Sequence, residues 1–214
     1  LLRRSLSAAV LAALAACSTT SPVVHLHSLM PDDAAPADAR ARPVGAPLAV
    51  VLDPVRMPSQ VDQPQWLVQL PDGSLATLEQ ERWASPLRDE FRQALLETLI
   101  VRYGAVELRH LAGRDASAGA LRIDVDVRRF ESVPGQEARI EGSWTIRAAS
   151  SSPVPALAPL HCEWLVRERS GAAVAGLAQA HRRAVARLAE GIGAAMLAIK
   201  RGESPSCPAG DGPG

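Results

Sequence analysis

The chain carries no net charge: its 23 Lys and Arg residues are balanced by 23 Asp and Glu. That removes the one-sided basic field of a nucleic-acid-binding protein, and no nucleic-acid partner is expected. Lysine is almost missing; Lys200 is the sole one, and arginine supplies the other positive charge. Long apolar runs are missing too. The stretch from Leu6 to Leu14 is about half of the ~20 residues that span a bilayer, so it does not read as a transmembrane helix. Cysteine is scarce, with three in all, and none stands in a metal-binding spacing. The sequence has no G-x-S-x-G elbow, no P-loop, no dinucleotide-binding glycine pattern and no internal repeat. The expectation is a chain that is not an enzyme, with no cofactor and no metal.

What is present begins at the N-terminus. Arg3-Arg4, the apolar run and the small residues Ala15-Ala16 before Cys17 describe a secretory signal over residues 1–16. With a cysteine at the cut, Leu14-Ala15-Ala16-Cys17 resembles a bacterial lipobox. In such signals the thiol takes a diacylglycerol, cleavage precedes the cysteine, and the new amine is acylated. Cys17 is therefore the expected lipidation site, and palmitate is among the acyl groups expected there. Each buried methylene contributes about 0.8 kcal/mol, so several chains hold far more firmly than one.

Cys162 falls on the apolar face of an expected strand with Leu160, Trp164 and Val166, and Cys207 lies in the tail GESPSCPAGDGPG. An oxidising envelope permits a disulfide between them. An inward-facing thiol and a loose tail are not expected to meet, yet the sequence leaves the pairing open.

Along the chain, Val23 to Leu29 reads as a short first strand. Residues 17–47 read as the lipidated N-terminus and a flexible linker, with the Pro- and Ala-rich stretch over 31–47 as its core. A folded domain is expected over 48–201 and a disordered tail over 202–214. Leu48 to Leu52 is nearly all apolar, as in a strand covered on both faces. Val55 to Pro58 continues it, and Trp66 to Leu70 is a further strand closed by the turn Pro71-Asp72-Gly73. Ser85 is the N-cap candidate of a helix with Pro86 at its first position; Leu87, Phe91, Leu95 and Leu99 recur at helical spacing and Gly104 ends it. A short strand, Val106 to Leu108, follows.

Three strands then alternate strictly. Leu121, Ile123, Val125 and Val127 face one way; Ile140, Gly142, Trp144 and Ile146 another strand's inner side; Leu160, Cys162, Trp164 and Val166 the third. A long helix, about Leu177 to Lys200, closes the chain. Gly191 and Gly193 within it are expected to pack closely on another backbone. The fold class is α+β, a mostly antiparallel sheet with two main helices packed on one face.

Few residues offer chemistry. His25 and His27 form an H-x-H pair with no third metal ligand near in sequence; His181 reads as a core-edge residue, and His110 and His161 as surface positions. Asp124 and Asp126 are neighbours on one strand face, flanked by Arg122 and Arg128, which reads as charge pairing on a wet sheet face rather than acid–base catalysis.

The segment VVLDPVRMPSQVDQPQWLVQ, the block ERWASPLRDEFRQALLETL over 81–99, the strand pair LRIDVDVRRF and IEGSWTIRA, and the terminal helix together resemble PqiC-like lipoproteins, the ABC-type transport auxiliary lipoproteins. The resemblance covers about residues 48–200 plus the lipobox. The family's tyrosine-rich opening strand with its following leucine appears here as His25-Leu26-His27-Ser28-Leu29. Membership implies an accessory subunit of an envelope transport system built around an MCE-domain periplasmic protein, moving lipid between membranes and supporting membrane integrity. The resemblance also implies a place on the periplasmic face of the outer membrane. Ser18 agrees, because aspartate after the lipidated cysteine is the usual inner-membrane retention signal. A homo-oligomer is expected.

Candidate partner-binding residues are Met57 and Pro58, in a turn between strands, and Trp83, Pro86 and Leu87 at the helix start, which otherwise serve packing and the first helical turn. Two other readings stand beside docking: a structural envelope lipoprotein that never touches lipid, and a carrier with its own acyl cavity. The second needs a spare apolar concavity, whereas the expected strands and helices look sufficient only to fill each other.

Overall fold

The computed structural model describes residues 22–31, 47–108, 120–149 and 158–208. Cys17, the linker over 32–46, His110, the connection over 150–157 and the last residues of the tail lie outside the described residues. The elements run β1 (His25–His27), β2 (Leu48–Leu52), β3 (Gln65–Gln69), β4 (Leu75–Trp83), α1 (Leu87–Tyr103), β5 (Ala105–Glu107), β6 (Leu121–Val133), β7 (Glu137–Ala148), β8 (Leu160–Arg169) and α2 (Val174–Lys200). No described helix is long and apolar enough to cross a membrane.

The α+β class holds, with both helices as expected. The strands divide into two sheets, ordered β1-β4-β3 and β5-β2-β6-β7-β8. The β6-β7-β8 meander is antiparallel, but β2 pairs parallel to both β5 and β6, and β1 parallel to β4. The apolar run of β2 fits this interior parallel position. Arg56 then extends β2's path by bridging to Asp126 of β6.

The helices cover one face of the larger sheet, α1 near β2 and β5, α2 over β7 and β8, and pack on each other. The core gathers Val50, Leu52, Ile123, Val125, Ile140, Trp144, Ile146, Cys162 and Trp164 from the strands with Phe91, Leu95, Leu99, Leu188 and Ile192 from the helices. Both Trp144 and Trp164 are buried, as the alternation requires.

A bulge between Val127 and Arg129 changes the phase of β6, so Phe130 and Ser132 turn inward where strict alternation would point them out. Gly142 of β7 faces this bulge. A Cβ there would stand 2.1 Å from the Asp126 carbonyl oxygen, so only glycine fits.

The structure departs from what the sequence suggested in four places. The domain does not begin at 48: β1 is paired in the small sheet and Leu29 is buried, so residues 25–30 belong to the fold and not to a linker. β4 is not announced by its sequence, because LATLEQERW has one β-branched residue and buries only Trp83 fully. The N-cap of α1 is Pro86, not Ser85; the Pro86 carbonyl accepts the Asp89 and Glu90 N–H groups at 2.8 and 3.0 Å. Finally, Cys162 and Cys207 form a disulfide with Cα atoms 5.4 Å apart, so the tail is fixed as far as 208. Gly202, at φ 72°, turns the chain back after α2, and its N–H bonds the Ile199 carbonyl at 3.0 Å. The returning Pro208 lies on Gly191, and the Tyr103 ring lies on Gly193. The close packing expected at these glycines is therefore real but is made by side chains: an added Cβ would meet Pro208 Cγ at 2.8 Å and Tyr103 Cδ2 at 2.5 Å.

Candidate functional site

Two segments singled out in the sequence meet at the start of α1. Pro58 accepts the N–H groups of Val61 and Asp62 at 3.1 and 3.2 Å, a tight turn that sinks Val61 into the core. The Asp62 carboxylate then pairs with the Arg88 guanidinium and accepts the Arg88 N–H at 3.3 Å. An acceptor at the first turn of a helix satisfies an otherwise orphan donor and complements the helix dipole. The Trp83 backbone N–H donates to the Pro64 carbonyl at 2.9 Å. The result is a dish of about 610 Å³ lined by Asp62, Pro64, Trp83, Ser85, Pro86 and Arg88.

The candidate residues divide there. Pro86 is exposed at the dish rim, and Trp83 forms part of its floor. Trp83 is otherwise buried, stacked on Trp66 with ring centroids 3.9 Å apart and edge-on to Phe130. Leu87 is fully buried and faces the core. Met57 packs half-buried against the core, and Pro58 is half-buried; neither lines the dish.

A second concavity is a groove of about 680 Å³ between α1, α2 and the segment after β1. Leu29, Ala94, Val101 and Val185 are among its apolar lining, with Arg102 and Arg183 at the polar part. The strands and helices thus do not merely fill each other, as the sequence suggested.

Three polar sites were not legible. Glu90 is buried on α1, and its carboxylate accepts the Ser28 hydroxyl at 2.6 Å, the Leu29 N–H at 2.9 Å and the Ser85 hydroxyl at 2.8 Å. Glu81 of β4 takes His25 Nδ1 at 3.0 Å and His27 Nε2 at 2.5 Å. The His27 bond is the main cause that holds the Glu81 carboxyl below its ordinary range. This carboxylate is the shared partner of the H-x-H pair, and no group of three such residues among those described is arranged to hold a metal ion. A sequence signal existed only for the histidines, since Glu81 lies in the strand that was missed.

The third is a buried chain of bonds. Trp66 Nε1 donates to Ser132 Oγ at 2.9 Å, and Ser132 Oγ lies 2.8 Å from His181 Nε2. Phe130 stacks on the His181 ring at 3.9 Å. His181 is fully buried, not at the core edge, and burial pushes its pKa down to about 3. A serine beside a neutral imidazole has the parts of an activated nucleophile. Here the serine oxygen already accepts the indole N–H, and both residues are closed off from solvent.

The far face of the larger sheet is a lattice of ion pairs. Asp124 meets Arg147 at 3.3 Å, Asp126 meets Arg56 at 3.5 Å, and Arg122 turns to Asp53 at 2.7 Å. Burial, helped by neighbouring Asp53, pushes the Asp124 carboxyl up. Burial acts the same way on Asp53, but its bonds from Arg122 and Asp124 outweigh it and hold that carboxyl down. Charge pairing accounts for Asp124 and Asp126, as expected, with Arg56 and Arg147 as their partners.

The family model for the ABC-type transport auxiliary lipoprotein component matches residues 29–193. The chain belongs to that family. The matched span opens on Leu29, the buried leucine after β1, and so begins earlier than the resemblance over 48–200. It ends within α2 and takes in the dish, the groove and the buried Ser132–His181 pair. None of the curated proteins matches the chain. Among solved structures, an uncharacterised protein aligns at TM-score 0.57 and 16% identity, covering 68% of this chain and 90% of its own. A Xanthomonas campestris protein of the DUF330 family aligns at TM-score 0.54 and 18% identity, covering 84% and 98%. These likenesses concern the fold of this auxiliary lipoprotein.

Proposed function

We propose that this auxiliary lipoprotein is the outer-membrane subunit of an MCE-type intermembrane lipid transport system. It is cleaved after residue 16, acylated at Cys17 and held on the periplasmic face. Its folded domain docks the periplasmic MCE assembly as a homo-oligomer and supports membrane integrity without making or breaking bonds. The observation that carries the reading is the family match across the folded domain, to a component described as auxiliary to ABC-type transport and as a lipoprotein. The dish at the start of α1 is the docking surface favoured by geometry, because it joins exposed Pro86 to the Trp83 floor beside the Asp62–Arg88 pair.

The test is affinity isolation of the full chain from envelope extracts in mild detergent. An MCE-domain protein should co-purify and be lost on Pro86→Arg. Recovery of transport components without any MCE protein would overturn the partner. Cys17→Ala should abolish acylation and release the chain from the outer-membrane fraction. The groove between the helices favours a second reading, in which the subunit carries an acyl chain itself. Its size is that of a small-molecule pocket, about 300–1,000 Å³. Lipid retained stoichiometrically after purification of the acylation-deficient chain would support it.

A further inference from the structure

Several large apolar side chains on this fold are exposed, and three of them fall within four positions. Val23 is 71% exposed, Val24 44% and Leu26 66%. They are not on a loose arm. His25 and His27 bond to Glu81, the Ala84 N–H bonds the His27 carbonyl at 2.8 Å, and Leu29 is buried just beyond. Side chains alternate along a strand, so fixing the histidines on Glu81 directs Leu26 to the opposite face. Arg82 stands beside Leu26 in register on that face. A clustered, rigidly presented apolar patch on the surface marks a contact.

Chain length names the occupant. Six residue steps separate Cys17 from Val23, and a chain reaches at most ~3.6 Å per residue, so Val23 lies within roughly 20 Å of Cys17. The intervening Ser18-Thr19-Thr20-Ser21-Pro22 carries no acidic residue to oppose anionic headgroups. We propose that Val24 and Leu26 on this face, with exposed Val23 just ahead of the strand, form a membrane-contact edge that seats the domain directly on the phospholipid surface. This rests on the acylation of Cys17 given above. The domain then does not stand off on a linker. The stretch over 32–46 lies after β1, so it cannot lengthen the tether between lipid and fold. Arg82 beside Leu26 bonds the Glu79 carbonyl through Nε at 3.2 Å, and its terminal nitrogens supply the cationic group that reaches phosphate.

The test uses the full chain reconstituted in phosphatidylethanolamine–phosphatidylglycerol vesicles. A single added cysteine carries an environment-sensitive fluorophore, in Leu26→Cys or, as a control, in Ser59→Cys. Position 59 is exposed in the loop before β3. The expected result is several-fold stronger quenching of the residue 26 label by lipid-borne quenchers than of the residue 59 label. Val23→Ser with Val24→Ser should reduce that quenching while the chain stays acylated and membrane-bound. Equal and weak quenching at both sites in acylated protein overturns the proposal. Shielding of the residue 26 label from aqueous quencher, with label–label contact and no lipid quenching, overturns it in favour of a second copy on this face. Mass spectrometry reads acylation separately. An unacylated chain sinks the anchor reading alone if residue 26 is still lipid-quenched, and both if it is not.

Discussion

The backbone N–H of Leu29 donates to the Glu90 carboxylate at 2.9 Å, and this bond ties the segment after β1 to the first turns of α1. Glu90 accepts the Ser28 and Ser85 hydroxyls as well, so one buried side chain joins three stretches of backbone. Hydrogen bonds to a charged group are worth about 1.5–3 kcal/mol, and stranding their donors adds to the loss. Glu90→Ala should cost about 3 kcal/mol and Glu90→Gln clearly less, read from urea midpoints. A chain that begins at residue 45 loses Leu29 and β1, leaves Glu90 without two of its donors, and should be destabilised at least as much. Full stability of that shortened chain would show that β1 is only an appendage.

His181 makes the fold acid-sensitive. Its folded pKa of about 3 lies below the ordinary 6.5, so the unfolded chain takes up a proton first as pH falls. Stability should therefore be complete above pH 6.5 and fall by about 1.4 kcal/mol per pH unit below it, down to the folded value. Glu81 acts lower. Its carboxyl is depressed, so its contribution is present above the ordinary 4.5 and is lost only as pH falls through the folded value. His181→Gln, which can still bond Ser132, should flatten urea midpoints between pH 6.5 and 5. An unchanged slope would place the acid sensitivity elsewhere.

The Cys162–Cys207 link closes a separation of 45 residues. In the chain-entropy account such a loop stabilises by about 3–4 kcal/mol. Cys207→Ser, or reduction of the natural chain, should lower Tm by roughly 10 °C. The two treatments should give the same value, and their effects should not add.

Trp144→Ala and Trp164→Ala should each cost about 3–5 kcal/mol, as large-to-small changes in a packed core do. Arg147→Ala, on the charged face, should cost under about 1 kcal/mol. Gly142→Ala should also be costly, because its methyl would meet the backbone oxygen of Asp126 rather than a side chain that can turn away. Thermal melts of the four variants check the series, and equal midpoints would contradict the strand phase.

The meander was legible because Leu121 to Val127, Ile140 to Ile146 and Leu160 to Val166 alternate without a break, and both helices because their apolar spacing is long. What failed was non-local. β4 carries Glu79, Gln80, Glu81 and Arg82 in a row, and its strand state depends on β1 and β3 at its sides. Glu90 looked like one more acidic residue in a first helical turn. Its three donors come from Ser28, Leu29 and Ser85, two of them some sixty positions away. The disulfide depends on a reversal at Gly202, which a Pro- and Gly-rich tail does not announce. At the candidate site, Trp83 and Leu87 are both buried. Their burial leaves Pro86 as the group free to be touched.

The place of β2 bears on how the chain matures. Both neighbours of β2 come later in sequence, β5 at Ala105 and β6 at Leu121. A chain that emerges N-terminus first must hold Leu48 to Leu52, an apolar segment with both edges bare, until those partners arrive. Bare apolar edges are templates for association, and non-local pairings make folding slow. Folding of this chain therefore passes through an interval in which β2 is at its most vulnerable, before β5 and the meander supply its two edges.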